Sequence, residues 1–319
     1  MQPSALDLPT PRPRPAGIPE RLTVGLLNNM PDAALAATER QFERLLGPGV
    51  RLLRFHLPEI ARGPQAADYL APRSAPAEAM ESAGLDALIV TGCEPRAASL
   101  PDEPYWPALT RAIDWAAEHT VSTLFSCLAA HAAVLHRDGI ARRRLPAKRS
   151  GVFACRATGR HPLLAGLPDP LPVPHSRYND LPEADLAAAG YAVLTRSEEA
   201  GVDLFVKPGP SLLVFLQGHP EYDPDSLARE YRRDLLRYRD GERADRPHPP
   251  AHYFDPEVEI RLADFAGRLA PGGREDPPPC HAPARAPWPQ AAAGLFANWL
   301  ALVGARRGRL ARTGALAAS

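Results

Sequence analysis

Short apolar runs alternate along most of the chain with segments in which apolar residues recur at helical spacing. The apolar runs predict buried strands. They lie at residues 21–27, 50–57, 85–91, 120–126, 191–195, 203–206 and 211–217. The periodic segments predict amphipathic helices. They lie after Asp32 and at residues 105–119, 128–135 and 225–238, and two more helix-like stretches flank a proline cluster at about 271–289.

The alternation of strands and helices predicts an α/β fold with a mostly parallel sheet and helices on both faces. In such sheets, ligands bind at the carboxyl ends of the strands. Gly92, Cys127 and His219 each follow the end of a predicted strand. The sequence therefore predicts a functional site at this edge of the sheet.

The 38 prolines among 319 residues indicate how the chain is organised. Residues 1–20 form a Pro- and Arg-rich run that can bury little surface, so we predict that they are disordered. Residues 21–305 are predicted to form a single domain, with a Pro-rich variable insert at about 240–289. Residues 306–319 are predicted to be a C-terminal tail.

Charge and composition narrow the class of protein. The 37 basic and 37 acidic residues cancel, so we expect neither nucleic acid nor an anionic membrane as a partner. Mean hydropathy is −0.26, and neither a transmembrane-length apolar stretch nor a secretory signal is found. The four cysteines form no CxxC pair, which favours reduced thiols and a cytoplasmic location. The scattered histidines lack metal-ligand spacing, and no glycine-rich nucleotide loop is present.

Cys127 is the candidate nucleophile, because it stands between a predicted strand and a predicted helix with no other connecting residue. Such a tight junction exposes the side chain at the sheet edge, and a helix N-terminus favours the thiolate. The amide of Leu128 is a natural oxyanion donor. The alternative is a buried structural cysteine, which is the commoner role of a lone Cys.

His219 and Glu221 are the candidate base and orienting acid. They follow a hydrophobic strand in the sequence Gly-His-Pro-Glu, two positions apart, so both can project from the same side of an extended turn. The carboxylate would then hold the imidazole while the imidazole faces the Cys127 thiol. A lone histidine is more often a surface or core residue, but this grouping at a strand end is more specific.

The combination of a cysteine elbow with a later Gly-His-Pro-Glu resembles the class I glutamine amidotransferase fold, a flavodoxin-like single domain. Within that superfamily the chain is similar to the homoserine O-acyltransferases, which comprise the O-succinyltransferases and the related transacetylases. The matching segments run in family order at residues 24–31, 38–39, 88–92, 105–106, 122–127, 145–153, 175–178, 218–234 and 296–300.

The resemblance implies a ping-pong acyl transfer that is the first step from homoserine towards methionine. Cys127 would take the acyl group from an acyl-CoA as a thioester, with His219 as general base and Glu221 orienting it. The matching positions also suggest Arg233 for the carboxylate of homoserine, and Lys148 with Ser150 for polar contacts in the acyl pocket. The fold geometry adds Gly92 as a second oxyanion donor. The resemblance implies small-molecule substrates, a homodimer and no cofactor besides the acyl-CoA co-substrate.

The sequence departs from the family pattern at several positions. The loop at residues 32–39 lacks a lysine that the family usually carries, which leaves the acceptor open between homoserine, serine and another amino alcohol. His131 replaces a glutamine, and we interpret it as a hydrogen-bonding wall, with a rival base as the alternative. Arg96 stands at the position associated with donor choice. Its charge suits a succinyl carboxylate, so we expect succinyl-CoA, with acetyl-CoA as the alternative.

Other functions remain open at this point. A glutamine amidotransferase or a hydrolase of the same fold is one, although Phe125 and Ala129 replace the glycines that usually flank the amidotransferase nucleophile. A non-enzymatic module that has kept the fold is another. The basic residues 142–144 with Lys148 and Arg149 are either a solvated loop or a docking surface for coenzyme A phosphates.

Overall fold

The computed structural model describes residues 21–283 and 285–317, so the predicted disorder of residues 1–20 lies outside the described residues. The strands are β1 (Thr23–Leu27), β2 (Arg51–His56), β3 (Ala75–Pro76), β4 (Ala87–Val90), β5 (Ser122–Ser126), β6 (Arg143–Ala157), β7 (Leu171–Asp180), β8 (Ala192–Val193), β9 (Thr195–Ser197), β10 (Gly201–Val202), β11 (Leu204–Lys207) and β12 (Leu212–Leu216). The helices are α1 (Leu35–Leu46), α2 (Pro64–Leu70), α3 (Trp106–His119), α4 (Leu128–Asp138), α5 (Glu183–Ala188), α6 (Ser226–Arg239), α7 (Pro256–Arg268) and α8 (Trp288–Ala317).

The large sheet has the order β3-β2-β1-β4-β5-β12-β11-β8. Its neighbouring strands pair in parallel, except that β11 is antiparallel to both of its neighbours. Because β4, β5 and β12 lie side by side, the segments that leave their carboxyl ends meet at one edge. The predicted mostly parallel α/β fold is confirmed, and this order brings Gly92, Cys127 and His219 together.

Apolar side chains cover both faces of the large sheet, as a sheet between two helical layers requires. On one face Leu88 and Phe125 pack in a core with Ile113 of α3. On the other face Ile89 packs in a core with Phe42 of α1, joined by residues of α8. Among the described residues, no helix is both long enough and apolar enough to cross a membrane.

A second, antiparallel sheet of order β10-β9-β6-β7 was not predicted. The strand β6 contains four arginines and one lysine and is largely exposed in its first half, so that half lacks the apolar run that identifies a buried strand. The predicted strand at residues 191–195 is divided between the sheets, because β8 joins the large sheet and β9 the small one. The small sheet reaches the site through β7, whose Pro174 carbonyl accepts a hydrogen bond of 2.7 Å from the amide of His219.

The C-terminal region differs from its predicted boundaries. The helix α8 runs without interruption from Trp288 to Ala317, so the segment predicted as a tail from residue 306 is helical as far as residue 317. The Pro-rich segment at 240–289 contains α7, and its Tyr253 and Phe254 pack in one core with Tyr231 of α6. This segment therefore packs against α6 and supports it.

Candidate active site

Cys127 occupies the one-residue junction between β5 and α4. Its φ of 52° and ψ of −113° are unfavourable for a residue with a side chain. Backbone hydrogen bonds hold this conformation: the Cys127 amide donates to the Leu216 carbonyl (2.7 Å), and the Cys127 carbonyl accepts from the amides of Ala130 (3.0 Å) and His131 (3.3 Å). Strain that the surroundings enforce is typical of functional positions. The predicted elbow is confirmed, and Cys127 lines a cavity of about 310 Å³, here called the catalytic cavity.

His219 and Glu221 follow β12 and line the same cavity. The Nδ1 atom of His219 lies 2.7 Å from Oε1 of Glu221, and the ring stacks on Tyr222 with the centroids 4.3 Å apart. An ionised carboxylate only accepts, so Nδ1 carries a proton. That leaves Nε2 available for Cys127, which lines the same cavity and interacts electrostatically with the imidazole. This arrangement is compatible with the predicted roles of Cys127 as nucleophile, His219 as base and Glu221 as orienting acid, which stay predictions.

The charges around His219 favour its protonated form. Burial alone would lower its pKa, but the negative charges of Cys127 and Glu221, with the hydrogen bonds to both, outweigh burial and raise the pKa of His219 well above its usual range. The site thus favours a cationic ring at His219. An imidazolium beside a cysteine is the setting in which enzymes with a cysteine nucleophile form a thiolate–imidazolium pair.

Gly92 and Leu128 lie against each other beside Cys127. A Cβ added at Gly92 would come within 2.7 Å of the Leu128 Cβ and 3.0 Å of its amide nitrogen, so the loop after β4 can approach α4 this closely only with glycine. Leu128 is the first residue of α4, and its amide has no acceptor within the helix. Both residues line the catalytic cavity, where the oxyanion role stays a prediction.

A buried polar network fixes the backbone that carries His219. Asp203 Oδ1 accepts from the Gly218 amide (2.9 Å), and Oδ2 accepts from the Thr195 hydroxyl (3.2 Å). His175 Nδ1 accepts from Arg177 Nε (3.2 Å), so the neutral ring carries its proton on Nε2, 3.5 Å from Asp203 Oδ1. Burial raises the pKa of Asp203 to about 6. This network is a support for the turn before His219.

Cys155, His175 and Asp203 offer ligand atoms within 4.8 Å of one another. The Arg177 guanidinium already occupies His175 Nδ1, and burial together with the charge of Arg177 holds the pKa of His175 well below its usual range. A guanidinium in contact with the cluster opposes a metal cation. These residues therefore fit a polar core better than a metal centre.

His131 is buried in α4 and does not act as a second partner for the thiol. Its Nε2 lies 2.9 Å from Oε1 of Gln217, whose amide nitrogen donates to the Val202 carbonyl (2.7 Å). That second bond orients the Gln217 amide, so His131 Nε2 is the donor. Burial lowers the pKa of His131 to about 4. The geometry supports the interpretation of His131 as a hydrogen-bonding wall.

One end of the catalytic cavity is formed by a cluster of charged side chains on α6 and the small sheet. Lys148 Nζ lies 2.7 Å from Asp234 Oδ2 and 3.2 Å from Glu230 Oε2. The Ser176 hydroxyl also donates to Glu230, and Arg233 Nη2 lies 3.0 Å from Asp234 Oδ1. The Tyr222 hydroxyl donates to Glu230 Oε1 (2.5 Å). Although burial opposes ionisation, Lys148, Arg233 and the hydroxyls of Ser176 and Tyr222 lower the pKa of Glu230 to about 2. The predicted residues Lys148 and Arg233 thus reach the cavity that holds Cys127.

Replacing Lys148 with methionine should destabilise the fold by about 3 kcal/mol, because it leaves Glu230 and Asp234 short of a buried cation. The pKa of Glu230 in the folded protein, about 2, lies below its ordinary value of 4.5. Its contribution is therefore present above pH 4.5 and is lost as the pH falls towards 2. Urea unfolding at pH 7 and at pH 4 measures the difference between the variants, which should shrink at pH 4. An equal difference at both pH values would contradict this account.

Two predicted substrate-binding residues lie outside the catalytic cavity. The Arg96 side chain is exposed and lines a neighbouring cavity, because the Arg96 and Ala97 amides bind Glu103 Oε1 (2.5 and 2.7 Å) and fix the loop. Ser150 faces Ser176 across the β6–β7 ladder and lines an adjoining cleft. This geometry therefore does not support a contact between Arg96 and a succinyl carboxylate. It also does not support a contact between Ser150 and the acyl group.

Ser176, Tyr222 and Glu230 line the catalytic cavity but were not selected from the sequence. The spacing of Glu230 and Arg233, three positions apart on a predicted helix, was a signal that both share a face. Tyr222 directly follows the Gly-His-Pro-Glu segment. Ser176 gave no comparable signal, because neither β6 nor β7 was predicted as a strand.

Comparison with known proteins identifies the family. Residues 18–307 match the family model described as homoserine O-succinyltransferase. The homoserine O-succinyltransferase of Methylorubrum extorquens is 56% identical over 301 residues, which cover 92% of this chain and 90% of that protein. The enzyme of the same name from Rhodopseudomonas palustris is 51% identical over 270 residues, covering 83% and 81%.

A solved glutamine amidotransferase of Thermotoga maritima supports the fold alone. It superposes with a TM-score of 0.51 at 12% identity, covering 89% of this chain and 99% of that one. The family match extends over nearly the whole chain and includes the strand end that carries Cys127 and the turn that carries His219 and Glu221. This chain belongs to the homoserine O-succinyltransferase family.

Proposed function

We propose that this protein transfers a succinyl group from succinyl-CoA to the hydroxyl of L-homoserine through a thioester on Cys127. The observation that carries the mechanism is the strained Cys127 elbow, which shares one cavity with a His219 that Glu221 orients. Membership of the homoserine O-succinyltransferase family supplies the donor and the acceptor. The reaction would be the first step from homoserine towards methionine.

In the first half-reaction, the Cys127 thiolate attacks the carbonyl carbon of the succinyl thioester. The amides of Leu128 and Gly92 would stabilise the negative charge that develops on the carbonyl oxygen. As the bond between that carbon and the CoA sulfur breaks, protonated His219 can give its proton to the leaving thiolate. The products are CoA and a succinyl-Cys127 thioester.

In the second half-reaction, His219 takes the proton of the homoserine hydroxyl, whose oxygen attacks the enzyme thioester. The carbon–sulfur bond breaks, and Cys127 is released as the thiolate beside protonated His219. Glu221 holds the ring in one orientation during both halves through its 2.7 Å contact with Nδ1. The two steps are balanced without any oxidant or added cofactor.

Two charged residues of α6 suit the ends of an amino-acid zwitterion. Arg233 has half of its side chain exposed and lines the catalytic cavity, where its guanidinium can bind the carboxylate of homoserine. Glu230 lies on the same face of the helix, and its low pKa keeps it ionised, so it can attract the ammonium group. We also propose that the protein acts in the cytoplasm and that it forms a homodimer.

Intact-protein mass spectrometry tests the proposal directly. Mixing with succinyl-CoA should add the mass of one succinyl group, and L-homoserine should remove it and yield O-succinylhomoserine. Serine should discharge the adduct more slowly. Faster labelling by acetyl-CoA than by succinyl-CoA would show that acetyl-CoA is the preferred donor. A wild-type protein that gains no mass from either thioester would refute the covalent mechanism.

A further inference from the structure

A second cavity, of about 730 Å³, also reaches Cys127. We call it the arginine cavity, because Arg142, Arg144 and Arg177 line it. The residues common to the arginine and catalytic cavities are Cys93, Cys127, Leu128, Ser176 and Tyr178. Two adjoining cavities therefore meet at Cys127.

The arginine cavity is cationic and lacks acidic lining residues in the described part of the chain. There, the Arg142 side chain has no hydrogen bond or ion pair with a carboxylate, and it interacts electrostatically with Tyr105, Cys127 and Cys93. The contact of Arg144 is with the Tyr178 ring, 4.4 Å from its centroid. Asp245, which interacts electrostatically with Arg144, is already bound by Arg243 at 2.5 Å. Arg142 and Arg144 thus offer positive charge that the fold itself does not neutralise.

Small and apolar residues form much of the remaining lining of the arginine cavity: Pro95, Ala97, Ala98, Ser99, Leu100, Pro101, Leu128, Leu135 and Ala141. His131 and Asn179 add polar groups to this lining. Its composition suits a long, weakly polar arm that ends in several phosphates. The catalytic cavity instead has a mixed lining of carboxylates and cations: Glu94, Glu221, Glu230, Asp234 and Glu242 with Lys148, Arg233, Arg237 and Arg243. A polyanion is disfavoured beside those carboxylates, whereas a small zwitterion matches them.

We propose that the acyl-CoA reaches Cys127 through the arginine cavity, with its phosphates on Arg142 and Arg144, while the amino-acid acceptor binds in the catalytic cavity. This inference rests on the proposed function and adds the location of each substrate. Arginine suits phosphate groups because its planar guanidinium donates several hydrogen bonds in a fixed geometry. The volume of about 730 Å³ lies within the range of ligand pockets.

Separate cavities change the kinetic pattern of a ping-pong enzyme. If both substrates used one site, free CoA would compete with homoserine for the acylated enzyme. With two sites, CoA competes with succinyl-CoA for the arginine cavity and leaves the homoserine site free. We therefore expect CoA to inhibit competitively against succinyl-CoA and noncompetitively against homoserine. Competition with homoserine alone would overturn the proposal.

Substitution of the two arginines tests the location of the phosphates. Arg142→Gln and Arg144→Gln should each raise KM for succinyl-CoA about tenfold, the loss expected for a charge-assisted hydrogen bond. KM for homoserine should stay unchanged. Arg143→Gln is the matched control, since Arg143 lies between them on the chain but is 71% exposed and faces Asp185; it should leave both KM values unchanged.

A donor without phosphates separates phosphate binding from damage to the site. Succinyl-pantetheine should label Cys127 at the same rate in the wild type, Arg142→Gln and Arg144→Gln. An unchanged KM for succinyl-CoA, or an equal loss with succinyl-pantetheine, would refute the role of the arginines. Failure of the proposed function would look different, because the wild type would then gain no succinyl mass from either thioester.

Discussion

Replacing Cys127 with alanine is expected to remove the succinyl adduct and to lower kcat by on the order of 10⁴- to 10⁶-fold, the loss seen when a covalent nucleophile is deleted. The physical reason is that neither His219 nor the oxyanion amides can form the thioester without the sulfur. The measurement is intact mass after succinyl-CoA addition, together with the rate of O-succinylhomoserine formation.

The control for Cys127→Ala is Cys280→Ala, because Cys280 is half-buried in the Pro-rich segment and should keep the full adduct and rate. A Cys127→Gly variant separates folding from chemistry. Glycine accepts the φ of 52° without strain, so its free energy of unfolding should exceed that of Cys127→Ala by about 1 kcal/mol. An adduct that persists in either variant would contradict the assigned nucleophile.

Replacing Glu221 with glutamine is expected to lower kcat by on the order of 10⁴-fold, by analogy with the loss of the orienting acid in a catalytic triad. The amide can present its NH₂ group to Nδ1, which favours the wrong tautomer of His219. It also removes one of the negative charges that raise the pKa of His219. The pKa of the imidazolium should therefore fall, and fewer molecules should hold the thiolate–imidazolium pair at neutral pH.

Alkylation by iodoacetamide measures that pair in Glu221→Gln. Labelling of Cys127 should be slower than in the wild type at pH 7, and its increase should move to higher pH. Glu242→Gln is the control, because Glu242 lines the same cavity and its replacement removes a charge without touching the His219 contact at Nδ1. Equal labelling profiles for the wild type and Glu221→Gln would show that Glu221 does not stabilise the imidazolium.

The elements that carry the triad could be predicted because their signals are local. Apolar runs identify β5 and β12, and helical periodicity begins directly after Cys127, so the elbow follows from consecutive residues. The carboxyl-end rule for parallel sheets then places His219 on the same edge. The sequence did not predict that β5 and β12 are neighbours in the sheet. That pairing is what brings Cys127 and His219 into one cavity.

The residues that position substrates were harder to predict, because their places depend on pairing between distant segments. Ser176 and Ser150 face each other in the β6–β7 ladder, but the polar sequence of β6 did not indicate a strand. Arg96 was placed by counting along a loop, whereas Glu103 holds that loop so that the side chain of Arg96 is exposed. Buried clusters such as Lys148 with Glu230 join residues 82 positions apart.

In the proposed mechanism, the electrostatic coupling between Cys127 and His219 would set the order of the two half-reactions. The high pKa of His219 depends in part on the charge of Cys127, and that charge disappears when the sulfur becomes an acyl thioester. Without that charge the pKa of His219 should fall, so the ring would become a competent base only after Cys127 has taken up the acyl group. When the ester product forms, Cys127 would be released as a thiolate beside protonated His219, the state that reacts with the next acyl-CoA.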